Sequence, residues 1–314
     1  MANTHNLFQK FHDDIQILNS KKDKLKLSKE ANRNRIRKFF KNHDSKLTPK
    51  FYIQGSYKMG SAVRTKDDTC DLDDGVYFEN VPDEITCTQL QKWVLEAVTG
   101  YTDTKPQHRK KCITVIYLKD GIEDYNIDLP VYKIDGNDKL LAIKDAEWES
   151  SDPKEFNNWF KSKKKTYPQL IRFVRYLKIW CDWKRNKMPS GLAMSILASN
   201  AIENIVIDTK RDDKALRDIL KDIQKTLKLK FTCVVPAEPF DDLFANYDDT
   251  RKNNFLDNLQ KIIDDADAAI QEKNEKTSSQ FWKKHLGDRF PEGEDKDDYS
   301  GIIGTASTSK PWQE

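Results

Sequence analysis

The sequence predicts an α+β fold: a sheet-bearing first half, a helical second half and a short polar stretch at the C-terminus. Three observations carry this expectation. Short β-rich runs, some alternating polar and apolar residues, occur at 51–53, 72–78, 112–118 and 125–134. From about residue 150 the apolar spacing becomes helical. From 291 onward Gly, Ser, Thr and charged residues dominate, a composition unable to build a core. The expected organisation is therefore 1–150, 151–290 and 291–314, the last part a mobile tail.

Residues 5–48 read as mostly helical, with Leu7, Phe8, Phe11, Ile15 and Leu18 at helical spacing and a basic segment after them. Phe51-Tyr52-Ile53 begins a short strand, and Leu72 to Phe78 forms another. The segment 86–101 is a helix closing near Gly100, where glycine suits a C-cap. Two further strands, 112–118 and 125–134, flank a turn at Gly121. Helices are expected at 168–186, 190–205, 216–231 and 253–273.

The strand containing Asp71, Asp73 and Asp74 raises a question of charge. Residues two apart on a strand share a face, so Asp71 and Asp73 project together while Leu72 points into the core. Unpaired carboxylates are costly to bury. Either these acids meet water at a strand end or they meet something positive. Hard divalent cations, Mg²⁺ above all, take such oxygen ligands and share them with substrate phosphates. Asp128, between Ile127 and Leu129, is a third acid projecting from an apolar strand. Were the two strands adjacent, three carboxylates would converge, an arrangement that serves phosphoryl and nucleotidyl transfer. Upstream, Gly55-Ser56 ends a strand and offers backbone N–H groups and a hydroxyl to a phosphate.

With these residues together, the sequence resembles the DNA-polymerase-β-like nucleotidyltransferases, whose mark is Gly-Ser, a spacer and Asp-apolar-Asp. "QGSYKMGSAVR", "DTCDLDDGVYFE" and "IDLPVYKI" are similar to the bacterial cGAS/DncV-like group, which makes cyclic di- or trinucleotide signals in anti-phage (CBASS) systems. "VRYLKIWC" and "MPSGLAMSILA" resemble that group's phosphate-contacting lysine helix and Ser-Gly turn. The resemblance implies a palm with a mixed sheet, packed against a helical lobe. It implies that Asp71, Asp73 and Asp128 are the catalytic acids and hold two Mg²⁺ ions, with Mn²⁺ able to substitute. Gln54, Gly55 and Ser56 would contact the donor nucleotide, and Lys178 and Ser190 its triphosphate. Asp74 departs from the group's pattern, which has an apolar residue there; it is expected to be exposed or to stand behind the metal ligands.

Against each reading stands a plainer one. Asp71, Asp73 and Asp128 could be solvated strand-end acids, Ser56 a turn serine, Gln54 surface, Lys178 a solvated helix lysine and Ser190 a helix cap. Formal net charge is +3, too balanced to imply nucleic-acid binding, and the basic runs at 20–26, 105–111 and 161–165 lack interleaved aromatics; activation by nucleic acid is not expected. His108 and Cys112 have ligand spacing without a second pair, so no zinc site is expected. Cysteines 70, 87, 112, 181 and 233 read as reduced thiols. With no signal-peptide run and no membrane-length apolar stretch, a cytoplasmic protein is expected. Its expected partners are NTPs, ATP and GTP first, with no membrane. The resemblance adds a regulatory protein engaging the tail. The expected state is a monomer. The rival functions are a related transferase acting on an RNA 3′ end or a small molecule, and a non-catalytic nucleotide binder.

Overall fold

In the computed structural model, which describes residues 2–43 and 46–297, two helices come first, α1 (His5–Asp14) and α2 (Asn19–His43). β1 (Lys50–Gln54), the one-turn α3 (Gly55–Met59) and β2 (Asp71–Glu79) follow. Next are α4 (Cys87–Val98), β3 (Gln107–His108), β4 (Ile113–Lys119), β5 (Ile122–Leu129), β6 (Val131–Asp135), β7 (Asp138–Leu141) and β8 (Glu149–Ser150). Helices α5 (Pro153–Thr166), α6 (Leu170–Lys184), α7 (Gly191–Ala201), α8 (Asp212–Leu229), α9 (Asp249–Gln271) and α10 (Glu275–Leu286) complete the described chain.

The mixed sheet is organised on β2. β1 pairs with it antiparallel, while β5 and β6 lie parallel along its successive halves. The expected single strand at 125–134 is thus two, broken at Pro130, which has no N–H to give a ladder. Its carbonyl still accepts from Val76 N at 2.8 Å, so β2 runs through the break without interruption. β4 joins β5 as an antiparallel hairpin whose turn holds Gly121 at a φ of 79°. α4 starts where Thr86 Oγ1 accepts from Gln89 N and gives way at Gly100, in the left-handed region.

Two large apolar cores divide the molecule. Leu72, Val76, Phe78, Ile127, Leu129 and Val131 from the sheet pack with Ile36 and Phe40 of α2 and Leu90 and Val94 of α4. The other core joins α5 to α10, with Trp180, Phe255 and Trp282 fully buried, and it includes Leu7, Phe8 and Phe11. α1, grouped with the sheet on sequence, therefore packs with the helices. Its apolar face is satisfied by Tyr176, Trp282 and Phe290. Leu18, counted in that apolar series, is half exposed because α1 has already ended.

Three further expectations change. Lys21, from the basic run at 20–26, is not on the surface but buried and ion-paired with Asp124 at 2.9 Å. α5 was not foreseen, its only buried anchors being Phe156 and Phe160 among many lysines. The first residues of the expected tail are held: Glu275 N donates to Lys296 O and Lys276 N to Glu294 O, and Gly293 N donates to Ser279 Oγ. The rest of that segment, 298–314, lies outside the described residues.

Candidate active site

Register decides which carboxylates meet. Asp73 lies between Gln54 on β1 and Asp128 on β5, its paired residues on either side. Paired positions in a parallel ladder share a face, so Asp73 and Asp128 project side by side, with Asp71 one pleat along. Leu72 and Ile127, paired between them, are fully buried on the other face. Asp73 is held well above the ordinary carboxylate range, first by burial and then by the charges of Asp71 and Asp128. Asp128 is raised too, chiefly by burial, although Thr114 Oγ1 donates to its Oδ1. Lys178 pulls the other way on Asp73 and Arg109 on Asp128, but burial prevails in both.

Among the described residues no group of three or more His, Cys, Asp or Glu side chains is placed to hold a metal ion. The donors offered by the ledge are all oxygen, the type that hard divalent cations take, and burial with the neighbouring acids disfavours Asp73 as an anion.

Asp74 corrects the sequence reading. It is neither exposed nor behind the metal ligands on their own face: it is fully buried on the opposite face of β2. Arg33 of α2 grips it through two hydrogen bonds, Nε to Oδ2 at 2.7 Å and Nη2 to Oδ1 at 2.6 Å. Burial raises this carboxyl and Arg33 opposes the rise. The run of acids is thus split by the pleat, two toward the cleft and one toward α2.

Gly55 explains why the Gly-Ser step precedes this ledge. Its φ is 62°, and a Cβ there would sit 2.0 Å from Asp73 Oδ2. Only glycine allows that approach. Gln54, rather than lying at the surface, is buried: its Nε2 donates to Tyr132 Oη at 2.9 Å and its Oε1 accepts from Tyr77 Oη at 3.1 Å.

Between the sheet and the helices is a cavity of about 600 Å³. Gln54, Gly55, Ser56, Asp71, Asp73 and Lys178 all line it; Asp128 and Ser190 do not. Lys178 extends from α6 and donates to Ser61 Oγ at 3.0 Å and Ser61 O at 3.3 Å. Burial pushes its ammonium down to about 8, against the pull of Asp71 and Asp73. Ser190 is the N-cap of α7, its Oγ accepting from Ala193 N at 3.2 Å. The next residue, Gly191, borders the Lys178 stem, where a Cβ would come within 3.1 Å of Cε. Ser190 therefore shapes the lysine's surroundings through the helix that it caps.

Sequence reasoning missed Thr114, Ser61 and Arg33. Thr114 pairs directly with Asp128 across the β4–β5 ladder, so an assumed hairpin at Gly121 would have pointed to it. Ser61 and Arg33 meet their partners across 117 and 41 residues of chain, with no local signal. His108 and Cys112 do not converge as ligands: His108 Nε2 meets Gln91 Oε1 at 2.9 Å, while Cys112 lies by Thr114. No helix among the described residues is long and apolar enough to cross a membrane.

Residues 49–132, spanning β1 to the start of β6, match the family "Cyclic GMP-AMP synthase DncV-like, nucleotidyltransferase domain". A cyclic GMP-AMP synthase of Escherichia albertii is 27% identical over 195 residues, covering 57% of this chain and 43% of that protein. Its counterpart in Vibrio cholerae is 26% identical over 239 residues, covering 59% and 53%. The chain thus spans about half the length of the curated relatives it matches. The crystal structure of Vibrio cholerae DncV with nonhydrolyzable GTP superposes with a TM-score of 0.80 at 18% identity, over 92% of this chain and 97% of that one. The same enzyme with the linear intermediate 5′ pppA(3′,5′)pG gives 0.79 at 18% identity, over 92% and 96%. The shared fold is an α+β palm with a helical lobe, as the sequence predicted.

Proposed function

We infer that this chain, whose residues 49–132 belong to the DncV-like nucleotidyltransferase family, joins NTPs into a cyclic di- or trinucleotide. The observation that carries the reading is the pairing of Asp73 with Asp128, beside Asp71, across a cavity from Lys178. A ledge of anions facing a cation fits a nucleoside triphosphate with its divalent cation: the acids would take the cation, and the lysine would meet phosphate charge.

In this reading Asp71, Asp73 and Asp128 would hold Mg²⁺, or Mn²⁺ in its place, which would lower the pKa of the attacking hydroxyl and offset charge on the leaving pyrophosphate. The protein's own residues do the rest. Thr114 orients Asp128, which takes up the proton of the attacking ribose hydroxyl. Gly55 lets the backbone lie against Asp73, so that the phosphate chain can pass Ser56. Lys178 leaves Ser61 to meet the triphosphate; as one point charge it also lets the product go. Gln54 contributes through the tyrosine pair that fixes this wall of the cavity. A cavity of about 600 Å³ is of the size that takes nucleotide ligands, and closing the ring requires the linear intermediate to present its own 5′-triphosphate there as the second donor. A role for the product as a signal in anti-phage defence rests on family resemblance.

The test is incubation of the chain with mixed NTPs and Mg²⁺, followed by mass spectrometry of phosphatase-resistant products. A cyclic product formed without added acceptor supports the reading. Linear transfer that requires an RNA 3′ end or a small molecule would favour the other transferase. Nucleotide binding without turnover would make the protein a binder.

A further inference from the structure

The segment 60–70 runs directly into the acidic end of β2, yet it contains neither helix nor strand. Its own backbone makes one tight turn, Asp68 N donating to Thr65 O at 2.9 Å and Thr65 N to Thr69 O at 3.1 Å. Thr65 lines the catalytic cavity. Side chains tighten it further, Arg64 Nε donating to Asp68 Oδ1 at 2.7 Å and Thr69 N to Thr65 Oγ1 at 3.0 Å, and among the holds from outside the segment is one from beyond α10. Arg289 Nη1 donates to Arg64 O at 3.1 Å and to Thr65 O at 2.8 Å, while Nη2 lies 3.6 Å from Asp68 Oδ1. The guanidinium thus spans two successive carbonyls and lies near the Asp68 carboxylate, which Arg64 Nε also holds at 2.7 Å. Arg289 is itself held in place, because Phe290 is fully buried with its ring 5.0 Å from Phe8 and 5.3 Å from Phe11.

We propose that Arg289 is a positioning residue for catalysis: it fixes segment 60–70, and through it the Asp71 end of the metal ledge, from the helical core. The inference rests on the nucleotidyltransferase reading. Charge-assisted bonds to two adjacent carbonyls set the orientation of the peptide plane between them, which a single contact does not. Lys66 N, one residue on, donates to the Asp182 carboxylate of α6, so the far side of the same turn is tied to the same lobe. Arg289 does not line the catalytic cavity, so its effect must be transmitted through the loop.

The experiment compares wild type, Arg289→Met and Arg289→Lys as full chains, measuring NTP turnover against Mg²⁺ and NTP concentration. For Arg289→Met, kcat should fall about ten-fold and the Mg²⁺ giving half-maximal rate should rise, with the KM for NTP changed less than about two-fold. Arg289→Lys, which keeps the charge but not the fork, should lie between the two. Backbone hydrogen exchange over 61–72 should quicken in the same order. A folded Arg289→Met with wild-type kcat and Mg²⁺ requirement, merely melting earlier, would make the arginine structural and overturn the proposal. Should Arg289→Met fail to fold, wild-type constants in Arg289→Lys overturn it equally. If wild type itself turns over no NTP, the enzymatic reading fails instead. Exchange then decides the clamp alone: an unchanged rate over 61–72 overturns it.

Discussion

At the scale of single residues, the ledge is a place where folding and function oppose each other. Asp73 carries a raised pKa, so without a cation the folded state is penalised increasingly as pH rises above the ordinary carboxylate range. Asp73→Asn should therefore abolish turnover yet leave the metal-free protein at pH 8 as stable as wild type or more so; a drop in Tm would mean that the carboxylate is structural. Lys178→Ala should raise the KM for NTP about ten- to a hundred-fold, the worth of one charge-assisted contact. Initial-rate kinetics with an unchanged KM would return Lys178 to a structural role with Ser61. The residues of the cleft face were legible in the sequence because strand alternation is local: Asp71, Leu72 and Asp73 announce their faces by spacing alone. Asp74 was not. Its burial depends on Arg33, delivered by a helix that nothing near Asp74 foretells.

At the scale of elements, those with a wide apolar stripe were readable and those with few anchors were not. α6 and α9 bury long series of apolar residues, whereas α5 hides two phenylalanines in a lysine-rich run. α10 was missed for a related reason: its first turn is completed by a distant segment. Asn274 caps it, and the carbonyls of residues 294 and 296 take up two of its free N–H groups. A chain stopped after Phe290 should lose these bonds and melt lower than one stopped after Asp297, by about 1–3 kcal/mol of stability. It should keep its NTP turnover, since no cleft residue lies beyond Phe290. Synthesis lost in the folded shorter chain would show that the segment serves the cleft. The joint of α1 with α6 adds a pH dependence. His12, bonded to Arg175 at 3.1 Å, is lowered to about 4, mainly by burial and then by Arg175. Between that value and 6.5 the unfolded chain binds the extra proton, so stability is lost as pH falls through this window. His12→Gln should flatten the slope of Tm against pH from 6.5 to 4. An unaltered slope would assign the acid sensitivity to other groups.

At the scale of the whole molecule, substrate binding should join the two lobes, because the cavity is lined from both: Asp71 and Asp73 from β2, Lys178 from α6. NTP with Mg²⁺ at a hundred times its Kd should stabilise the protein by about 2.7 kcal/mol. EDTA should remove most of that gain in a thermal melt, and a gain indifferent to EDTA would argue against metal-bridged phosphates. The placing of α1 in the helical core has a consequence for biosynthesis. Phe8 leaves the ribosome roughly 270–280 residues before its ring partners Trp282 and Phe290. At ordinary elongation rates that is a wait on the order of tens of seconds. The sheet lobe can close meanwhile from its own residues, while the greasy face of α1 has at most Tyr176 of α6 to cover it. The nascent chain should therefore engage chaperones through α1 and release them fully only once α10 and Phe290 have emerged.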